Sequence, residues 1–153
     1  MIVIGLTGGI AMGKSEVARI LTAEGIPVFD SDREVHRLYD SKEGGRLLQD
    51  IAPQAVAEGR VDRAALTALV LADGKLLKKI ESRVHAEIRR QRDIFLSEQR
   101  EAGNSMAAID VPLLFETGAD TDVNVSLVVS APPEVQRRRA MARPGMTEDK
   151  LAM

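Results

Sequence analysis

Eight residues, Gly8-Gly9-Ile10-Ala11-Met12-Gly13-Lys14-Ser15, constrain this 153-residue chain more than any other feature. They fit G-x-x-x-x-G-K-[ST], the phosphate-binding P-loop. The pattern carries weight because of its flanks. Ile2-Val3-Ile4-Gly5-Leu6 reads as a short strand buried on both faces. Lys14 to Glu24 reads as a helix, with Val17, Ile20 and Leu21 at helical spacing and Gly25 as its stop. Ile26-Pro27-Val28-Phe29 reads as a second strand ending at Asp30. Strand, helix, strand in so short a span is a βαβ unit, which predicts an α/β fold with a parallel sheet.

In that setting the motif has a chemistry. Gly8 and Gly13 allow backbone paths that a side chain would obstruct. Successive N–H groups can then face one anion, and the helix N-terminus adds positive partial charge. Gly8, Gly9, Ile10, Ala11, Met12, Gly13, Lys14, Ser15 and Glu16 are therefore the expected nucleotide-binding residues. Lys14 would reach the outer phosphates of ATP, and the Ser15 hydroxyl would help hold Mg²⁺. The chain lacks the guanine-reading N-K-x-D segment: Asn104 and Asn124 are followed by Ser105-Met106 and Val125-Ser126. It also lacks a D-x-x-G after a strand, which argues against a GTPase switch.

A kinase needs a group that orients the acceptor hydroxyl, a site for the acceptor, and cations over the transferring phosphoryl. Asp30 and Asp32 follow the second strand, at the sheet end where ligands bind in open α/β folds. Asp30 or Ser31 is expected to cap the next helix, leaving Asp32 for the chemistry. A helix starting near Pro132-Pro133 carries Arg139 and Arg143, four apart and so on one face, as expected of a lid over ATP. Thr147 is expected to cap one more helix, cut short by the end of the chain at Met153.

Between Ser31 and Glu101 no strand is evident. Asp62 can cap a helix carrying Leu66, Leu69 and Val70, and Gly74 breaks it. A long amphipathic helix follows, with Leu77, Ile80, Val84, Ile88, Gln91 and Phe95 along one side and a basic excess elsewhere. Both a solvated face and an anion-binding surface fit that excess. Met106 to Val111 and Val123 to Ser130 read as further strands.

Composition removes other classes. Lys+Arg 21 against Asp+Glu 23 leaves a net charge of −2, with no global pull toward nucleic acid or membrane. Aromatics at 3% provide no stacking platform for single-stranded nucleic acid. Zero cysteines exclude a thiolate nucleophile and a thiolate zinc site, and fit a reducing compartment. With neither a targeting segment nor a run of about 20 apolar residues evident, the expected location is the cytoplasm.

Gly5-Leu6-Thr7-Gly8-Gly9-Ile10 leading into Gly13-Lys14-Ser15 resembles the dephospho-CoA kinase family. So do Val28-Phe29-Asp30-Ser31-Asp32, Val61-Asp62-Arg63, Val84-His85, Asp110-Val111-Pro112-Leu113-Leu114-Phe115-Glu116, and Pro133, Gln136, Arg139 and Arg143. The resemblance implies transfer of the ATP γ-phosphoryl group to the ribose 3′-hydroxyl of dephospho-CoA, the last step of coenzyme A synthesis. It implies Asp32, Lys14, Arg139 and Arg143 as catalytic residues, with Asp32, His85, Pro112, Leu113 and Leu114 at the acceptor. The implied architecture is a P-loop NTPase core (1–31 and 104–134) with a helical acceptor-binding insert (32–103) and a short helical lid (135–150). The end of the core would be missing, because the family continues past the lid. Ala11 stands where the family usually has glycine, Met12 where it has a small polar residue, and Glu16 where a hydroxyl is common. The alternatives are another P-loop small-molecule kinase or an ATP-binding fragment without turnover.

Overall fold

The structure, a computed structural model, describes residues 1–147. The helix expected from Thr147 lies outside these. The described chain forms two compact units, Met1–Phe29 with Ser97 onward, and Asp30–Leu96.

The first unit is built on a four-stranded sheet. Strand β1 (Ile2–Thr7) leads into helix α1 (Lys14–Ala23) and strand β2 (Val28–Asp30). The short strands β3 (Val56–Ala57) and β4 (Arg60–Val61) belong to the second unit, and this sheet is completed by β5 (Met106–Asp110) and β6 (Val125–Val128), in the order β2-β5-β1-β6. Both neighbours of β1 run parallel to it, with Leu6 opposite Asp110 of β5 and Leu127 of β6. The aliphatic residues of β1 and β5 supply the core: Val3, Leu6, Ala107, Ala108 and Ile109 are buried, as is Leu114 beyond β5. A Cβ on Gly5 would lie 2.9 Å from the Leu114 side chain, so a glycine in β1 lets that leucine seat directly on the sheet.

The edge strand is different. All four residues of β6 are exposed, and no residue of α1 is buried. Ile20, expected on the packed side of α1, is 47% exposed. After Pro132, helix α6 (Pro133–Met141) starts with proline in its first turn, where the missing N–H costs nothing.

The second unit is helical with one hairpin. It contains α2 (Ser31–Asp40), α3 (Lys42–Leu48), the two-residue strands β3 (Val56–Ala57) and β4 (Arg60–Val61), α4 (Arg63–Ala72) and most of α5 (Gly74–Glu101). Side-chain caps define the helix starts as expected. Asp30 accepts from Arg33 N at 3.0 Å, and Asp62 accepts from Ala64 N and Ala65 N. Asp73 does the same for α5 through Lys75 N and Leu76 N, so Gly74 opens that helix and does not merely end the previous one.

The β3–β4 hairpin contradicts the expectation that this stretch holds no strand. Its turn, Glu58-Gly59, has positive φ at both residues (52° and 77°), the twist that closes a two-residue hairpin. Glutamate is an unusual occupant of that conformation, so the turn has no Asn-Gly or Asp-Gly signal.

The buried seam of α5 also departs from expectation. It runs Ile80, Val84, Ile88, Arg92, Leu96, in steps of four that continue straight through an arginine. Gln91 and Phe95 are only half-buried. Arg92 pairs with the adjacent Asp93 at 3.1 Å, and its aliphatic stem occupies a position that hydrophobicity alone would refuse it. Among the described residues no helix is long and apolar enough to cross a membrane.

Candidate active site

The loop between β1 and α1 is shaped by two left-handed residues. Ala11 has φ 58° and Gly13 φ 106°. Alternating right- and left-handed residues turn successive N–H groups to one side, which makes an anion-binding concavity. Among the described residues, the N–H groups of Ala11, Gly13, Lys14 and Ser15 donate to no protein acceptor. They are the expected donors of a phosphate cradle, reinforced by the start of α1.

Gly8 serves a different need. Its φ is ordinary, but a Cβ there would lie 2.6 Å from the Val129 carbonyl oxygen. That oxygen cannot retreat freely, because Val129 N donates to Thr7 O at 2.8 Å. Gly8→Ala is therefore expected to destabilise the chain by about 1–3 kcal/mol through overpacking, read as a lower denaturant midpoint at unchanged slope. An unchanged midpoint would show that the 129–131 segment yields.

Three expected nucleotide-binding residues also make contacts within the protein. The Glu16 carboxylate is taken by Arg19, with Nη2 at 2.6 Å and Nε at 3.0 Å, and Glu16 N donates to Gly13 O. The Arg19 guanidinium, by hydrogen bonding first and by charge second, holds that carboxyl below its usual range. The Glu16 side chain is thus turned to Arg19 at the exposed surface of α1. Met12 N donates to Gly9 O, and its Sδ accepts from Ala131 N at 3.1 Å. The Ile10 carbonyl accepts from the Gln136 side-chain amide at 2.9 Å.

Lys14 forms a salt bridge with Asp110, whose side chain is 4% exposed. The register explains it. Asp110 ends β5 directly beside Leu6 of β1, so its carboxylate stands where the P-loop begins. Asp110 is the main functional residue that sequence reasoning misses. An acidic residue closing an apolar strand is a visible signal, yet its proximity to a lysine 96 residues away comes only from strand order. Breaking a buried pair by removing one charge costs about 3–5 kcal/mol. Lys14 retains some solvent, so Asp110→Asn is expected to fall below that range, at about 2 kcal/mol in chemical unfolding. No loss at all would mean that the pair stores no stability.

Arg139 stands over the same loop. Its Nη1 lies 3.5 Å from the position of a Cβ on Gly13. Arg143 does not share its helical face, because α6 ends at Met141 with Ala142 as its cap. From there the backbone tightens, with Arg143 N donating to Ala140 O at 3.0 Å, three residues back. The four-residue spacing argument fails at the helix end, and Arg143 is an exposed turn residue.

Of the expected acceptor residues, Leu114 is wholly buried against Gly5, in the core. Leu113 is 55% exposed. The Pro112 carbonyl accepts from Thr7 Oγ1 at 2.9 Å, which ties the segment after β5 to the end of β1. Asp32 and His85 belong to the second unit, both exposed, Asp32 in the first turn of α2 and His85 on α5. In that unit Arg83 grips Asp50 at 2.6 and 2.8 Å, and Arg90 pairs with Glu87 and Glu43. These arginines of the basic helix face thus engage the unit's own carboxylates.

The comparisons with known proteins agree with this geometry. The family model described as dephospho-CoA kinase matches residues 2–153. A dephospho-CoA kinase of Mesorhizobium japonicum is 51% identical over 152 residues, covering 99% of this chain and 77% of the relative. One from Nitrobacter winogradskyi is 44% identical over 151 residues, covering 99% and 75%. A solved Thermus thermophilus structure superposes with TM-score 0.78 at 39% identity, over 99% of this chain and 77% of that one. The dephospho-CoA kinase from Campylobacter jejuni superposes with TM-score 0.66 at 23% identity, over 98% and 77%, and so supports the fold. A P-loop with its lysine engaged at the end of a parallel sheet, in a chain matched over nearly its whole length, belongs to the dephospho-CoA kinase family.

Proposed function

We propose that this chain transfers the γ-phosphoryl group of ATP to the ribose 3′-hydroxyl of dephospho-CoA, giving coenzyme A and ADP. The observation that carries the reading is the Gly8–Ser15 cradle, with its inward N–H groups and Lys14 held by Asp110. Phosphoryl transfer asks the protein mainly for positioning and charge stabilisation. The cradle holds the phosphates of ATP. Lys14 exchanges part of its contact with Asp110 for the outer phosphates, and Arg139 neutralises charge that builds on the transferring group.

Asp32, two residues past β2, orients the 3′-hydroxyl and receives its proton as the oxygen bonds to phosphorus and the bond to ADP breaks. His85, Pro112 and Leu113 contribute to holding the acceptor. Magnesium fits the donor set. The Ser15 hydroxyl and the buried Asp110 carboxylate are hard oxygen ligands, and Mg²⁺ beside a nucleotide needs only one or two from the protein. No cluster of three or more His, Cys, Asp or Glu is present among the described residues, so such a shared site suits it better than an all-protein cage. Bound there, the ion would offset the phosphate charge. The proposed place of action is the cytoplasm.

An ADP-release assay with Mg-ATP tests the reading. Release that depends on dephospho-CoA, with a product carrying one added phosphate, is the expected result. ATP binding with no acceptor-dependent release would overturn it.

A further inference from the structure

The P-loop contains a strained residue whose conformation is held from outside. Ala11 sits at φ 58°, a region that L-residues other than Asn and Asp seldom enter. The turn bond inside the loop, Met12 N to Gly9 O, is long at 3.3 Å. Shorter hydrogen bonds come from α6 and the segment that leads into it. Gln136 Nε2 donates to Ile10 O at 2.9 Å, and Ala131 N donates to Met12 Sδ at 3.1 Å. The Met12 side chain covers Gly9, with Cγ 3.6 Å from where a Cβ would stand and Gln136 Nε2 3.9 Å from the same point.

A trans peptide is planar, with its C=O and N–H pointing in opposite directions. Fixing the Ile10 carbonyl on Gln136 therefore fixes the Ala11 N–H on the opposite side. That N–H is one of the donors without a protein acceptor. Gln136 also lies one helical turn before Arg139, so the same anchor registers the guanidinium near Gly13.

We infer that Gln136 is a positioning residue for the nucleotide: its amide holds the Ile10–Ala11 peptide in the orientation that presents the Ala11 N–H to phosphate, against the preference of Ala11 to leave the left-handed region. The inference rests on the nucleotide-binding reading above.

The test is a two-by-two comparison of wild type, Gln136→Leu, Ala11→Gly and the double variant, titrated with Mg-ATP alone. Leucine keeps the bulk of the side chain and loses the donor. Gln136→Leu is expected to raise the Kd for Mg-ATP about fivefold, the worth of one neutral hydrogen bond. In the Ala11→Gly background the same change is expected to cost only about twofold, because glycine has no strain to release. The KM for the acceptor should stay unchanged, and the four proteins should melt within a few degrees of one another. A general structural role would instead weaken ATP equally in both backgrounds, which would overturn the inference. So would a Gln136→Leu protein that binds Mg-ATP as tightly as wild type. Wild type that fails to bind Mg-ATP would sink the nucleotide reading itself, a different result from either.

Discussion

Lys14→Ala is expected to lower kcat/KM by about a thousandfold, the loss seen when one charged or polar stabiliser is removed from a charge-developing transition state. Two effects add. The ammonium no longer meets the outer phosphates, and the Asp110 carboxylate, 4% exposed, loses its ion pair with Lys14 next to the cradle. A negative charge left there repels the nucleotide, so Mg-ATP binding should weaken along with turnover. The second effect has its own signature. In the Lys14→Ala, Asp110→Asn double variant that carboxylate charge is gone, and part of the ATP affinity should return although turnover does not. Isothermal titration for binding and a coupled ADP assay for turnover separate the two. A Lys14→Ala protein within tenfold of wild type in kcat/KM would show that the lysine is a structural partner of Asp110 and little more.

Asp32→Ala is expected to reduce kcat by about two to four orders of magnitude, the range for a positioned general base or hydroxyl-orienting carboxylate. The Kd for Mg-ATP should hardly change, because the cradle is formed by other residues. Its neighbour supplies the control. Asp30 caps α2 through Arg33 N, so Asp30→Ala should cost about 1 kcal/mol of stability and leave kcat far less affected. Asp32 is exposed and makes no cap bond, so its replacement should leave the melting temperature nearly unchanged. Activity within a fewfold of wild type in Asp32→Ala would remove that residue from the chemistry. An equal loss of activity in Asp30→Ala would point to the fold of α2 as the cause.

Much of this protein can be read locally. Strand β1, the glycine loop and α1 follow from a β-branched run, a phosphate motif and a helical period within 23 residues of the N-terminus. Asp30 and Asp62 announce helix starts because a cap acts within three residues of itself. The family, too, is legible, since its motifs are short runs in a fixed order. Where the physics reaches across the chain, local reading stops. Lys14 meets Asp110 only because β5 is the strand that lies beside β1, a choice made by packing and not by any neighbour in sequence. Leu114 reads like part of an acceptor turn and is a core residue, because Gly5 leaves a space that only the folded sheet reveals. Arg92 and the Glu58-Gly59 turn break residue preferences that hold on average, and tertiary contacts override such preferences. The motif by itself determined that a phosphate could be held here, because the loop's N–H groups are arranged by residues next to one another. Which groups support that loop (Asp110 behind the lysine, Gln136 and Met12 against its outer limb, Arg139 above Gly13) was decided only in three dimensions, since each of these pairs is about a hundred residues or more apart.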